Sequence, residues 1–345
     1  MEKPPVFNFQ RAMALIRHCP AYQATPIQKL ETPSGRQLLI KDETSRFKMG
    51  AFKALGGIYA MANILLERWR NENQTNIEPE QLFKDEIQAW SSRLTFVCAS
   101  AGNHGLAVAK GAKLFNAGCR IHLAKTVPFA FEQRLLELNV TVVRSGANYE
   151  ESMQAAIEDC ADGEILLSDS ARPGYSHIPS LVMEGYTVMA EEMRAFFQAE
   201  NVWPTHVFLQ AGVGGMAAAI TDHIRSVWSN QPKIIIVEPE AAACLMESHR
   251  REKIIAVKGP VSSMGRLDCK LPSTIAFDIL NEQADKFVCI SDRQAEQAVD
   301  FLTMHQLRTS PSGAAGVAAM LSADERNEGM PESSVCLALA TEAGA

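Results

Sequence analysis

Short, unbroken apolar runs alternate along this chain with stretches in which apolar residues return every three or four positions. The runs at 37–41, 95–99, 120–124, 140–143, 164–168, 205–210, 233–238, 287–290 and 334–339 predict strands. The stretches at 51–70, 104–116, 128–138, 149–162, 178–198, 214–228 and 292–305 predict helices; Phe52, Leu55, Tyr59 and Ala62 carry the helical spacing in the first of them. The run Ile234-Ile235-Ile236-Val237 does not alternate with polar residues, which suits a strand covered on both faces. Strand and helix in turn imply an α/β fold with parallel sheets and helices on both sides. The polar segment 71–88 reads as a surface loop or the extended end of a helix. There is no internal repeat and no low-complexity tail.

Composition narrows the class. A length of 345 residues suggests about two domains, and 47% apolar residues suffice for a large core. The net charge is −7, from 33 Lys and Arg against 40 Asp and Glu, and no basic run is present, so nucleic acid and acidic membranes are not expected partners. The apolar stretches fall short of the ~20 residues of a membrane span, and Met1-Glu2-Lys3-Pro4-Pro5 lacks the form of a signal peptide. The 8 cysteines show no paired spacing of a metal site, which points to a reduced, cytoplasmic protein. Cys244 and Cys269 are the pair to inspect for a bridge.

Four places carry candidate chemistry. Lys53 stands between Phe52 and an apolar, glycine-ended helix start, an unusual setting for a surface lysine; the nearby Lys48 reads as one. A lysine amine freed of its proton is a nucleophile. The turn Ser100-Ala101-Gly102-Asn103-His104-Gly105 joins a strand to a helix, where backbone N–H groups and the positive helix end suit an anion; alone it also reads as an ordinary helix cap. Gly212-Val213-Gly214-Gly215-Met216 follows a strand and precedes a helix, as a phosphate cradle does; alone it is equally a tight turn. Thr341 ends the last strand, with a role in a site or none.

In this order, lysine, asparagine turn and glycine loop resemble the pyridoxal-phosphate (PLP) enzymes of the tryptophan-synthase-β type, fold type II. Within that family the chain is most similar to the diaminopropionate ammonia-lyases. Three stretches carry this: DETSRFKMGAFKALGG (42–57), SDSARPGYSHIPSLVMEGYTVMAEE (168–192) and QAGVGG with VEPEAAACLMES (210–215, 237–248). The resemblance implies a large domain of residues 1–54 and 166–345, a small mobile domain of 55–165, and PLP in the cleft between them. It implies that Lys53 joins PLP as a Schiff base beside Phe52, that Asn103 touches the ring hydroxyl, that 212–216 hold the phosphate and that Thr341 meets the pyridine nitrogen. It places the substrate at Ser100, Ala101, Gly102, His104 and Tyr175. Asp169 becomes a candidate proton acceptor from the α-carbon or a partner for a substrate amino group, with helix or loop capping as the plain alternative.

The chain departs from the family in places. Val213 replaces a common glycine. Ala101 stands where the lyases usually carry the aspartate that serves the D-enantiomer and where serine racemases carry a serine, which argues against both D-activity and racemisation. Six residues after Glu238, where metal-binding relatives have an acid, the chain has Cys244, so no metal is expected. Glu238 is left as a brace of the cleft or a plain strand-end carboxylate. The implied reaction is α,β-elimination on a small L-amino acid, first L-2,3-diaminopropionate, giving pyruvate and ammonia. A dehydratase for threonine, serine or 3-hydroxyaspartate is the alternative; β-substitution and a non-catalytic PLP-binding protein are remoter readings. A homodimer is the family's usual assembly.

Overall fold

The computed structural model describes residues 6–325 and 330–344. The first half of the chain runs α1 (Phe9–Ile16), β1 (Ile27–Glu31), β2 (Gln37–Asp42), α2 (Lys53–Asn73), α3 (Asp85–Ser91), β3 (Thr95–Ala99), α4 (Asn103–Leu114), β4 (Gly118–Leu123), α5 (Phe129–Leu136), β5 (Thr141–Arg144), α6 (Tyr149–Asp159) and β6 (Ile165–Leu166). It continues with α7 (His177–Glu200), β7 (His206–Gln210), α8 (Gly215–Val227), β8 (Lys233–Pro239), α9 (Cys244–Arg250), α10 (Thr274–Gln283), β9 (Lys286–Ile290), α11 (Asp292–Met304), α12 (Pro311–Glu325) and β10 (Val335–Ala340).

The strands form a six-stranded sheet, β1-β2-β10-β7-β8-β9, and a four-stranded sheet, β5-β4-β3-β6. The second sheet is parallel throughout. In the first, β1 is the exception to the all-parallel expectation: it pairs antiparallel with β2, Ile27 opposite Lys41. Its sequence, Ile-Gln-Lys-Leu-Glu, is an edge strand's, too polar to stand out as an apolar run.

Both faces of the large sheet are covered, as the unbroken apolar runs require. Leu39, Leu209, Ile236 and Leu337 pack into one core; their neighbours Leu38, Phe208, Ile235 and Ala338 pack into the other. The second core rests on α12, whose pattern shows no stripe. Ala314, Ala315, Val317, Ala318, Ala319 and Met320 are all buried, so the helix is apolar nearly all round and has no period to read. The segment 71–88 is only partly the loop or helix end expected. The chain leaves α2 through Gln74 in the left-handed region (φ 56°), makes a 3-10 turn at Pro79–Phe83 and enters α3.

Two features aim α2 at the cleft. Gly185 of α7 lies against it so closely that a Cβ there would be 2.9 Å from both Gly56 Cα and Leu55 O. Just before α2, Arg46 is locked by Glu43 (Nε to Oε2, 2.7 Å) and Glu192 (Nη1 to Oε1, 2.8 Å), and Lys41 Nζ donates to Glu192 Oε2 at 2.6 Å. All four side chains are almost wholly buried. This cluster holds the short connection in which Phe47 (φ 51°) and Lys48 (φ 56°) adopt left-handed conformations that non-glycine residues rarely take.

Candidate active site

The loops that matter leave the carboxyl ends of parallel strands, where open α/β sheets hold their ligands. β2 leads to Lys53, β3 to the 100–102 turn, β7 to the glycine loop and β10 to Thr341.

Lys53 is the first residue of α2, and its Nζ forms an ion pair with Asp169 Oδ2. The two lie 116 residues apart in sequence. Their side chains retain 23% and 15% exposure, so the pair faces the cleft rather than the core. Burial works against the charge on Lys53, but Asp169 more than offsets it and holds the ammonium above its ordinary range. Burial likewise opposes the carboxylate of Asp169, and the positive groups beside it hold it well below the usual range. Phe52 flanks the amine, its ring centroid 5.5 Å from Nζ, and packs edge-on against Tyr186.

At the asparagine turn, Gly102 is the cap of α4 and its N–H lies 3.3 Å from Ser100 Oγ. Gly105 is obligatory: a Cβ there would stand 2.4 Å from Ser100 O. His104 is buried, its Nε2–H donating to Leu167 O at 3.0 Å, which leaves Nδ1 bare, without a partner and 3.9 Å from Asp169 Oδ2. Burial pushes this ring below its ordinary value, with Asp169 pulling the other way. Asn103 Nδ2 donates to Glu342 Oε2, and Ser310 Oγ donates to the other oxygen of that carboxylate. Ala101 O accepts from Arg266 Nη1 at 3.0 Å.

In the glycine loop, Gly214 has φ 96°, which only glycine adopts readily, and Gly215 opens α8. A Cβ on Gly212 would meet Cys269 Sγ at 2.9 Å. Val213 contributes its backbone, its carbonyl accepting from Ser273 N at 3.0 Å, and Met216 is buried. Thr341 is buried at the end of β10, where its Oγ1 accepts from Gln210 Nε2 at 3.3 Å. Tyr175 stands somewhat apart. Its hydroxyl donates to Leu166 O (2.7 Å) and accepts from Ser168 N (3.1 Å), which shapes the approach to Asp169.

Lys53, Asp169, His104, the turn and the glycine loop therefore converge. Sequence reading missed Tyr186, whose hydroxyl is buried with no partner, and it missed Glu342 and Arg266. Only Tyr186 gave a signal, its place in the 168–192 stretch. Glu238 caps α9: its two oxygens accept from Leu245 N and Met246 N, both at 2.8 Å. Cys244 and Cys269 are free thiols rather than a bridge. Among the described residues no group of acids, histidines and cysteines is arranged to hold a metal.

The family model of the pyridoxal-phosphate dependent enzymes matches residues 19–342. The chain belongs to that family. Among curated relatives, diaminopropionate ammonia-lyase of Escherichia coli (strain K12) is 31% identical over 281 residues, 79% of this chain and 69% of that protein. The crystal structure of the Escherichia coli enzyme in complex with an aminoacrylate-PLP azomethine reaction intermediate superposes with a TM-score of 0.86 at 26% identity, covering 99% of this chain and 91% of that one. A biosynthetic L-threonine dehydratase of Staphylococcus aureus (strain NCTC 8325 / PS 47) is more distant, 25% identical over 65% of this chain and 52% of its own length. This PLP enzyme is a lyase of the ammonia-releasing type, with the tryptophan-synthase-β-like fold.

The residues present fit the cofactor. Gly212 and Gly214 have no room for a Cβ against Cys269 and Ala276, so the loop turns as bare backbone and sets its N–H groups at the amino end of α8, where a phosphate dianion is stabilised. The unpartnered Tyr186 hydroxyl and the accessible Lys53 amine complete polar sites for its other groups.

Proposed function

We propose that this PLP-dependent ammonia-lyase acts on a small L-amino acid bearing a β-leaving group, with L-2,3-diaminopropionate as the preferred substrate. The products are then pyruvate and two ammonia, water being consumed. The Lys53–Asp169 ion pair in the cleft is the observation that carries this reading, because it sets an amine and a carboxylate side by side where a proton must leave Cα.

The bound cofactor supplies the electron sink for the Cα carbanion. Everything else falls to the chain. Lys53 would hold the cofactor through its amine, and the same amine, beside Asp169, is placed to take or return protons at the substrate's Cα and Cβ. Asp169 either accepts the α-proton or fixes the freed lysine beside it. The backbone N–H groups of the turn at Ser100, Ala101 and Gly102 receive the substrate carboxylate, with His104 and Tyr175 walling that side. The loop from Gly212 to Met216 would hold the phosphate, Asn103 the ring hydroxyl, and Thr341 the pyridine nitrogen. A hydroxyl there, unlike a carboxylate, does not force the nitrogen to remain protonated, which favours elimination over transamination.

The large domain comprises residues 1–54 and 166–345 and the small domain 55–165, which closes on substrate. The protein works in the cytoplasm, a reading the eight free thiols support, and it assembles as a homodimer, for which sedimentation is the direct check.

A second reading, a dehydratase for threonine, serine or 3-hydroxyaspartate, draws on Ala101 at the turn. Ammonia released per keto acid formed separates the two: two for the diamine, one for a hydroxy amino acid. Turnover restricted to L-diaminopropionate carries the first reading, and turnover of a hydroxy amino acid alone overturns it. In either case Lys53→Ala abolishes both the visible absorbance of the attached cofactor and turnover; undiminished turnover in that variant would sink the mechanism.

A further inference from the structure

Between α9 and α10 the chain runs without regular structure and comes to lie against both halves of the site. Leu267 Cα and Arg266 O would stand 3.2 and 3.3 Å from a Cβ on Gly212, so the backbone of this segment backs the glycine loop. Its position is pinned from the other side, where Arg266 N donates to Ser312 Oγ at 3.1 Å in the first turn of α12. From there the Arg266 side chain crosses to the asparagine turn, 165 residues away in sequence, and Nη1 donates to Ala101 O at 3.0 Å. The same nitrogen would stand 3.0 Å from a Cβ on Gly102, so the guanidinium lies directly over the turn.

This is the only bond that the guanidinium makes among the described residues, and the residue is exposed. A guanidinium has five N–H donors in a planar fork, so most of them remain for a ligand. Beneath it the turn presents the opening N–H groups of α4, which the helix itself cannot use. Beside it stands the buried His104 with its unpartnered Nδ1. Charge at this turn is thus the reverse of what the resemblance implied: the side chain at 101 has no carboxylate, and an arginine from a distant segment brings a positive charge instead.

We propose that Arg266 is a substrate-binding residue that holds the substrate's α-carboxylate over the 100–102 turn. The inference rests on the proposed lyase reading, in which that turn receives the carboxylate. It makes the carboxylate a partner of a charged fork as well as of backbone N–H groups.

The test uses the PLP-loaded protein and two amines that cannot undergo elimination. L-alanine carries the α-carboxylate and no β-leaving group; ethylamine carries neither. Dissociation constants come from the change in cofactor absorbance as each amine is added. Losing a charge-assisted hydrogen bond at an exposed position is expected to weaken L-alanine about tenfold in Arg266→Ala, while ethylamine stays within about twofold. Arg266→Lys should recover part of the loss, because the charge remains and the fork does not. L-alanine binding equally well to wild type and Arg266→Ala overturns the proposal. So does an equal loss for both amines, which marks Arg266 as a strut of the turn. A wild-type protein whose cofactor absorbance responds to no amine refutes the lyase reading instead, a result distinct from either.

Discussion

Lys53 and Asp169 show how far one contact sets a residue's chemistry. Burial alone would lower the lysine, yet the carboxylate holds its proton on beyond the ordinary range. The signs follow for each group. The raised lysine contributes stability that is present below its unfolded pKa of ~10.4 and is lost as pH rises through the folded value. The depressed aspartate contributes stability that is present above its unfolded pKa of ~3.9 and is lost as pH falls through the folded one. The pair therefore stabilises the fold across the neutral range. Cofactor attachment needs the neutral amine, so Asp169→Asn, which removes the main opposition to burial, is expected to move the pH midpoint of attachment downward. An absorbance titration of cofactor loading reads it, and an unmoved midpoint would show that Asp169 does not control the amine. The same variant is expected to lower kcat by about 10²- to 10⁴-fold if Asp169 handles the α-proton.

Elements give the site its shape. Gly214 is in the left-handed region and a Cβ there would meet Ala276 Cβ at 3.0 Å. Gly214→Ala is expected to cost about 1–2 kcal/mol of backbone strain and to loosen the phosphate cradle; thermal unfolding and the rate of cofactor loss measure the two effects. At the end of β8, Glu238 caps α9 from a wholly buried position, and burial, opposed by the two backbone N–H groups, raises its pKa to about 7. A raised acid contributes stability that is full below its unfolded pKa of ~4.3 and is lost as pH rises through about 7. Glu238→Gln keeps an amide oxygen for the cap and takes up no proton. Its melting temperature is expected to change less than that of the wild type between roughly pH 5 and 8; an identical pH profile would mean that Glu238 does not titrate there. The strands and long helices were legible because a buried strand or an amphipathic helix has a period. β1 and α12 were not, one being polar at a sheet edge and the other apolar on nearly all sides.

For the whole molecule, the buried cluster of Lys41, Glu43, Arg46 and Glu192 ties the large sheet, the approach to α2 and α7 together. Glu192 meets both cations. Glu192→Gln would leave part of their charge uncompensated out of water, an expected cost of about 3–5 kcal/mol in urea unfolding, with loosened cofactor binding because Lys53 follows directly on this connection. A loss below about 1 kcal/mol would mean that water or rearrangement compensates the cluster.

By itself, the sequence determined the alternating α/β order, the two-sided burial of the central strands and the three local motifs. Each of these is written within a few consecutive residues, as a hydrophobic period or as a backbone that needs glycine. Only the tertiary structure decided which of those motifs meet and what stands between them. The sheet order β1-β2-β10-β7-β8-β9 sets the end of β10 beside the start of α2. Asn103 is thereby tied to Glu342 across 239 residues, Lys53 to Asp169 across 116 and the substrate turn to Arg266 across 165. No local pattern encodes such pairs, because an ion pair or hydrogen bond between distant residues leaves no period in the chain. Packing chooses them once the strands have found their neighbours.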